Sequence, residues 1–237
     1  MAGTLYGVGI GPGDPELMTL KAVRILKESD IIGIPAKDKV SCTAYKIALE
    51  AVNEIGEKPV IAVPVPMTTD GNKLKAAYDE GCEKIASELE KGNNVAFLNL
   101  GDPVVYGTYM KIHKGVTDMG YNAEIVSGVP SFCATAAVIG IPLGQGNEEI
   151  HILPGYYNAD EIEKYKGTTV LMKSAGKIDK VRKKLIDMEK SNNVKAYAVT
   201  NCGMEGQMIY RNIEELREDA GYFTTIVVKE KNKIQKK

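Results

Sequence analysis

Residues 4–35 read TLYGVGIGPGDPELMTLKAVRILKESDIIGIP. The apolar run 4–10 is short enough for a strand, and it breaks into a loop rich in glycine and proline. Residues 17–29 form an amphipathic helical pattern, with Leu20, Val23, Ile25 and Leu26 near helical spacing. DIIGIP (30–35) reads as a second, buried strand ended by Pro35. Two apolar strands joined through a helix form a β-α-β unit. Such a unit requires a parallel sheet with helices covering its faces.

Outward from this start the alternation continues. Helices are expected at 41–55, 72–92 and about 106–119, with strands at 58–66, 94–103 and 122–128. Gly92 stands where a glycine would cap the longest of these helices. The second half is organised differently. A helix at 130–139 leads to strands at 148–155 and 168–175 and a helix at 177–191. Three strand-like stretches then follow at 194–203, 206–216 and 221–230, joined by short turns of antiparallel type. The expected architecture is α/β, with two α/β domains at 1–120 and 121–237. The first has a mostly parallel sheet and the second a mixed one. No Pro/Ser-rich linker separates them, and no internal repeat is present. The terminal KEKNKIQKK (229–237) holds five lysines and one glutamate and reads as a solvated end rather than a nucleic-acid arm.

Composition narrows the function classes. The chain has 237 residues, with 30 Lys+Arg against 31 Asp+Glu, and 44% are hydrophobic. That is the profile of a globular protein, and its balanced charge disfavours a general nucleic-acid binder. No apolar run approaches the roughly 18–20 residues of a membrane helix. The first residues lack the charged and apolar regions of a signal peptide. The expected location is the cytoplasm. Cys42, Cys82, Cys133 and Cys202 are far apart and form no CxxC pair, which disfavours a zinc ribbon or a redox pair. With only two histidines, His113 and His151, a catalytic metal held by the protein is not expected.

The glycines of the first loop, Gly7, Gly9, Gly11 and Gly13, suggest a dinucleotide fingerprint, but the register fails. A GxGxxG from Gly7 would need glycine at Pro12, and one from Gly9 would need it at Asp14. No Walker A motif is present. What the loop offers is a tight turn stiffened by Pro12 and Pro15 that lets a ligand approach the backbone. A second Gly-Asp-Pro lies in NLGDPVVYGTY (99–109), again after a strand. Two such loops at carboxyl ends of parallel strands would face the crevice where open α/β sheets bind ligands. Asp102 could meet a cationic group, take a proton, or simply hold a turn or helix cap. Tyr106 could bond a polar substrate or pack in a wall.

These residues resemble a known family, the tetrapyrrole methylases. GVGIGPGDPELMTLKA resembles its amino-terminal signature and LGDPVVYGTYM its second Gly-Asp-Pro loop. VSGVPSFCATAAVIGIPL follows about 25 residues later, and TTVLMK resembles the strand opening the second domain. Within the family the resemblance is closest to the C20-methyltransferases of precorrin-2 or cobalt-precorrin-2 (cobalt-factor II) in cobalamin biosynthesis. It is carried by the run Tyr106–Met110, Ser131-Phe132 and Met172-Lys173. Uroporphyrinogen methylases typically have Thr-Ala in place of Ser131-Phe132. The chain departs from the pattern at Gly107, where serine is expected, and at Ser127, where proline is usual.

The resemblance implies S-adenosylmethionine as methyl donor, bound folded in a cleft between the domains. Pro12, Leu100, Gly101, Asp102 and Val105 would contact it from the first domain. Ser131, Phe132, Met172, Ala198, Val199 and Thr225 would do so from the second. It further implies a homodimer, and cobalt only as part of the substrate. An activated sulfonium methyl needs no enzyme nucleophile, so the task is alignment with the tetrapyrrole carbon followed by loss of its proton. Asp102 and Tyr106 are the candidates for positioning or proton transfer, with water as the alternative acceptor. Lys111, Lys114 and Lys173 are candidates to pair with substrate carboxylates, and His113 is a weaker candidate base. The rival readings are a same-fold methylase acting at another corrinoid-precursor carbon or on a macromolecule such as rRNA, a nicotinamide oxidoreductase, and a binding module without turnover.

Overall fold

The computed structural model describes residues 1–66, 68–154, 159–173, 178–191 and 194–231. The chain divides into two compact units, Met1–Pro130 and Ser131–Lys237. The expected carboxyl-terminal tail beyond Lys231 lies outside the described residues, as do expected element ends at Gly155, Ser174, Ala175 and Lys177.

The first unit runs β1 (Thr4–Gly9), α1 (Leu20–Glu28), β2 (Ile31–Ile34), α2 (Thr43–Ala51), β3 (Val60–Ala62), α3 (Gly71–Glu90), β4 (Val95–Asn99), α4 (Tyr109–Asp118) and β5 (Asn122–Val126). Its strands form one sheet in the order β3-β2-β4-β1-β5, and every pairing is parallel. The pairing of β5 with β1 carries this unit past residue 120, the boundary expected from sequence, and the division falls at Pro130. Central strands β2 and β4 are buried throughout, which is why they read as unbroken apolar runs. Leu5, Val95 and Phe97 pack with Cys82, Ile85 and Leu89 of α3 and Ile112 and Val116 of α4.

Helix ends follow local chemistry. The Asp14 carboxylate accepts from the Glu16 N–H at 2.8 Å and starts a separate 3-10 turn, Pro15–Leu17. The Thr19 hydroxyl then caps α1 by accepting from the Ala22 N–H at 3.1 Å. Leu20 therefore opens the helix and is 89% exposed, contrary to the apolar face expected of it; Ala22, Ile25 and Leu26 form the buried face. Helix α3 ends at Gly92 (φ 90°), whose N–H donates to Leu89 O at 3.0 Å while the Asn93 N–H donates to Glu88 O at 3.1 Å. This left-handed cap is the one the sequence implied.

The second unit runs α5 (Ser131–Ile139), β6 (Ile150–Leu153), β7 (Thr168–Met172), α6 (Ile178–Ser191), β8 (Val194–Thr200), β9 (Met208–Tyr210) and β10 (Thr224–Glu230). Its sheet has the order β6-β7-β10-β8-β9. Strands β6 and β7 are parallel, whereas β10 is antiparallel to both β7 and β8, and β8 to β9. One face packs Leu171, Ala196, Ala198, Ile226 and Val228 against Ile178, Val181, Leu185 and Met188 of α6.

Lys229, which the sequence placed both at the end of the strand-like stretch 221–230 and in a solvated tail, is the sixth residue of β10 and is 2% exposed. Its ammonium donates to Pro142 O at 2.7 Å, Leu143 O at 3.2 Å and Thr168 Oγ1 at 3.0 Å, and it pairs with Glu148 at 3.1 Å. A lysine-rich end was misread because the sheet register of Lys229 is set by distant residues.

Candidate functional site

The strand order of the first unit locates its site. From β1 the chain crosses toward β2, and from β4 it crosses the opposite way toward β5. Right-handed crossovers then place α1 and α4 on opposite faces, although β1 and β4 are neighbours. The gap beyond the carboxyl ends of β1 and β4 is the switch point of the sheet. Both Gly-Asp-Pro loops leave from it.

The loops are joined through backbone. The Gly101 N–H donates to Gly11 O at 2.8 Å, and the Ile10 N–H donates to Asn99 O at 3.0 Å. The loop after β5 closes on the same point. A Cβ added at Gly128 would lie 2.2 Å from Gly101 O and 2.8 Å from the Gly9 Cα. Three strand ends thus meet where side chains are excluded. Gly7 has a different reason: its missing Cβ makes room for the ring of Tyr109. That ring is buried in the core, its hydroxyl donates to Glu124 O at 2.8 Å, and burial pushes the phenol pKa up.

Asp102 is 8% exposed and both of its oxygens accept from backbone. Oδ1 takes the Val104 N–H at 2.9 Å, and Oδ2 takes the Gly128 N–H at 3.0 Å across to the loop after β5. Of the roles open from sequence, this geometry gives Asp102 the turn, extended into a clamp between two loops. Pro12 is buried in the first loop, while Leu100 and Val105 are partly buried in the second. Asn99, also buried, donates from Nδ2 to Leu100 O at 2.9 Å. A Cβ at Gly107 would lie 2.6 Å from both Asn99 Oδ1 and Pro103 O, so the serine expected there does not fit this loop.

Tyr106 is held at φ 50°, a left-handed backbone uncommon for a tyrosine, and is 43% exposed. Val104 on the same loop and Met110 in the first turn of α4 are also exposed. The candidate cations of α4 are otherwise engaged or remote in role: Lys114 pairs with Asp118 at 2.8 Å, Lys111 is exposed, and His113 Nδ1 lies 3.0 Å from the Tyr109 hydroxyl.

In the second unit most of the expected residues assemble. Thr225 of β10 stands directly opposite Met172 of β7 and Val199 of β8, so the three side chains share one face. Ser131 opens α5 with its hydroxyl oxygen 3.4 Å from Thr225 Oγ1, and Phe132 beside it is buried. Ala198 does not join them through its side chain. Being one residue from Val199, it faces α6 in the core, and it can contribute only main-chain groups on the Val199 side.

Sequence reasoning missed Gly128, Asn99 and Asn201. The signals were present as a glycine just after β5, an asparagine ending β4 and an asparagine just after β8. Among the described residues, no group of three or more His, Cys, Asp or Glu side chains could hold a metal ion. No helix among them is long and apolar enough to cross a membrane. Burial holds the Cys82 thiol up at about 11, with Asp79 and Glu83 adding to the shift.

Comparison with known proteins agrees with this arrangement. The chain is 38% identical over 168 residues to the cobalamin biosynthesis protein CobIJ of Mycobacterium tuberculosis (strain ATCC 25618 / H37Rv), covering 68% of this chain and 32% of that one. It therefore spans about a third of the length of that curated relative. It is 29% identical over 239 residues to the precorrin-2 C(20)-methyltransferase of Sinorhizobium sp, covering 95% of each chain. A solved structure, a putative cobalamin synthesis related protein (CobF) from Corynebacterium diphtheriae, superposes with a TM-score of 0.75 at 21% identity, covering 97% of this chain and 99% of that one, and so shares the fold. Residues 4–217 match the family described as Tetrapyrrole (Corrin/Porphyrin) Methylases, and with both Gly-Asp-Pro loops at the switch point of its first sheet, the chain belongs to that family.

Proposed function

We propose that this protein transfers the methyl group of S-adenosylmethionine to C-20 of precorrin-2 or of its cobalt complex, as a homodimer in the cytoplasm, within cobalamin biosynthesis. The observation that carries the reading is the end-to-end similarity to a relative named for that reaction, 95% of both chains. The residues present suit such a donor. The first unit supplies a rim of bare backbone at Gly11 and Gly101 with a buried carboxylate beside it. The second supplies an apolar row, Met172 and Val199, with the Thr225 and Ser131 hydroxyls. An apolar wall with few placed polar groups is the usual composition of a small-molecule site.

The donor supplies an activated methyl: the S–CH3 bond breaks as the new bond forms at C-20, and the C-20 proton leaves afterwards. The protein's part is alignment, which holds reacting atoms near roughly 3–3.5 Å. In this reading Pro12, Leu100, Gly101 and Val105 line the donor from the first unit. Asp102 acts on them as a positioning residue, because both its oxygens hold loop backbone. Tyr106, exposed on a left-handed backbone, is the group assigned to the substrate, where its hydroxyl can guide the departing proton. Ser131, Phe132, Met172, Val199 and Thr225 line the donor from the second unit, and Ala198 does so through main chain. Lys173, next after Met172, is a cation suited to a carboxylate.

The test is an anaerobic assay with methyl-labelled S-adenosylmethionine, offering precorrin-2 and its cobalt form in parallel, with NMR of the product. Label at C-20 is the expected result, and the faster substrate identifies the physiological form. Label at another carbon would overturn the position of methylation. Transfer to neither, despite donor binding, would redirect the search to macromolecular acceptors.

A further inference from the structure

Among the described residues three other than glycine have a left-handed backbone: Tyr106 (φ 50°), Lys173 (φ 56°) and Asn201 (φ 50°). Two of them, both in the second unit, fall together. Lys173 directly follows the last residue of β7, and Asn201 directly follows the last residue of β8. Both strands run antiparallel to β10, so the two residues emerge at the same end of the second sheet. That is the end where Met172, Thr225 and Val199 stand side by side. Strained backbone of this kind persists where surroundings over-determine it, and it collects at ligand sites.

Asn201 is pinned by its main chain and not by its side chain. Its N–H donates to Phe223 O at 3.0 Å, and its carbonyl accepts from the Met204 N–H at 2.9 Å. Its carboxamide makes one long contact, Nδ2 to Gly206 O at 3.5 Å. The amide oxygen and an amide N–H are thus available on a partly exposed residue two positions beyond Val199. We propose that the Asn201 carboxamide recognises the adenine ring of the methyl donor. The inference rests on the donor assignment made above. A carboxamide is neutral and presents a donor and an acceptor together. That pattern complements the amino group and adjacent ring nitrogen of adenine. A carboxylate would instead call for a cation.

The test separates the backbone from the amide. Asn201→Gly tolerates the left-handed backbone but removes the carboxamide, and Asn201→Asp keeps the shape while removing the donor. S-adenosylhomocysteine binding is measured by calorimetry, and unliganded thermal unfolding is followed in parallel. The unliganded midpoint of Asn201→Gly should stay within about 3 °C of the parent. Its affinity should fall about 10- to 100-fold. The homocysteine analogue lacking the 6-amino group should bind the parent more weakly by a similar factor, and Asn201→Gly should no longer distinguish the two ligands. Equal binding of S-adenosylhomocysteine by the parent and by Asn201→Gly would overturn the inference alone and leave Asn201 a backbone choice. Failure of the parent to bind would overturn the donor assignment and this inference with it.

Discussion

Gly128→Ala tests whether the meeting point of three loops is what holds the candidate site of the first unit together. The added Cβ would sit 2.2 Å from Gly101 O and 2.8 Å from the Gly9 carbonyl carbon and Cα. All of these are backbone atoms, so no flexible side chain can yield. Gly128 is not among the left-handed glycines, so the cost is steric and not conformational. To reach ordinary contact near 3.4 Å the loops must part by about 1.2 Å. That displacement breaks the 3.0 Å bond from the Gly128 N–H to Asp102 Oδ2 or the 2.8 Å bond from the Gly101 N–H to Gly11 O. A hydrogen bond to a charged group contributes about 1.5–3 kcal/mol and a neutral one about 0.5–1.5 kcal/mol. Reduced freedom of the unfolded alanine chain returns about 0.4–1 kcal/mol. With the bond to Asp102 as the one lost, the net expectation is a loss of about 0.5–2.5 kcal/mol.

Urea denaturation of the parent, Gly128→Ala, Asp102→Asn and the double variant checks this directly. Asp102→Asn alone should cost about 1.5–3 kcal/mol, because one backbone N–H is left facing an amide NH2 and the other keeps only a neutral acceptor. If both changes break the same Asp102–Gly128 bond, the double variant should be less destabilised than the sum by about 1 kcal/mol or more. S-adenosylhomocysteine affinity should fall in both single variants. Strict additivity, or a Gly128→Ala variant within about 0.5 kcal/mol of the parent, would refute the clamp.

Tyr106→Gly should leave the unliganded protein as stable as the parent or about 1 kcal/mol more so, by relieving left-handed strain, while methyl transfer collapses; a fully active variant would remove Tyr106 from the site. Gly107→Ser should lower stability by about 1–3 kcal/mol by overpacking against Asn99 and Pro103 O, read as a shifted urea midpoint, and an unchanged midpoint would show that the loop can yield. The Glu148 carboxyl is held below its usual range: burial acts to raise it, but hydrogen bonds from Lys229 and Thr168 and the Lys229 charge prevail. Its stabilisation is therefore present above the unfolded carboxyl pKa of about 4.3 and is lost as pH falls through the lower folded value. Lys229→Met should cost about 3–5 kcal/mol at pH 7, with part of the loss recovered on acidification toward pH 5 as the orphaned Glu148 takes up a proton; a pH-independent loss in the melting curves would show that Glu148 does not feel the lysine.

What could be read from sequence, and what could not, divides along one physical line. The β-α alternation, the cap at Gly92 and both Gly-Asp-Pro loops were legible, because each depends on residues within a few positions of one another. Leu20 aside, which the adjacent Thr19 cap leaves exposed, the failures concern partners far away in the chain. Asp102 carried three roles on paper because the Gly128 N–H that occupies its second oxygen is 26 residues on. Lys229 looked like tail because Glu148, its buried partner, is 81 residues back. Val199 and Ala198 were paired as neighbours in the site, yet in a strand neighbours face opposite ways, and only the register with Thr225 shows which one belongs to the row. The same register makes Asn201 informative. An asparagine after a strand is an ordinary turn residue in sequence. Set beside Lys173 at the end of two strands that flank Thr225, it becomes one of two strained residues framing the same row. If the backbone alone required asparagine there, glycine would serve as well and the carboxamide would be incidental. The loss of adenine discrimination in Asn201→Gly is therefore the measurement on which the two explanations part.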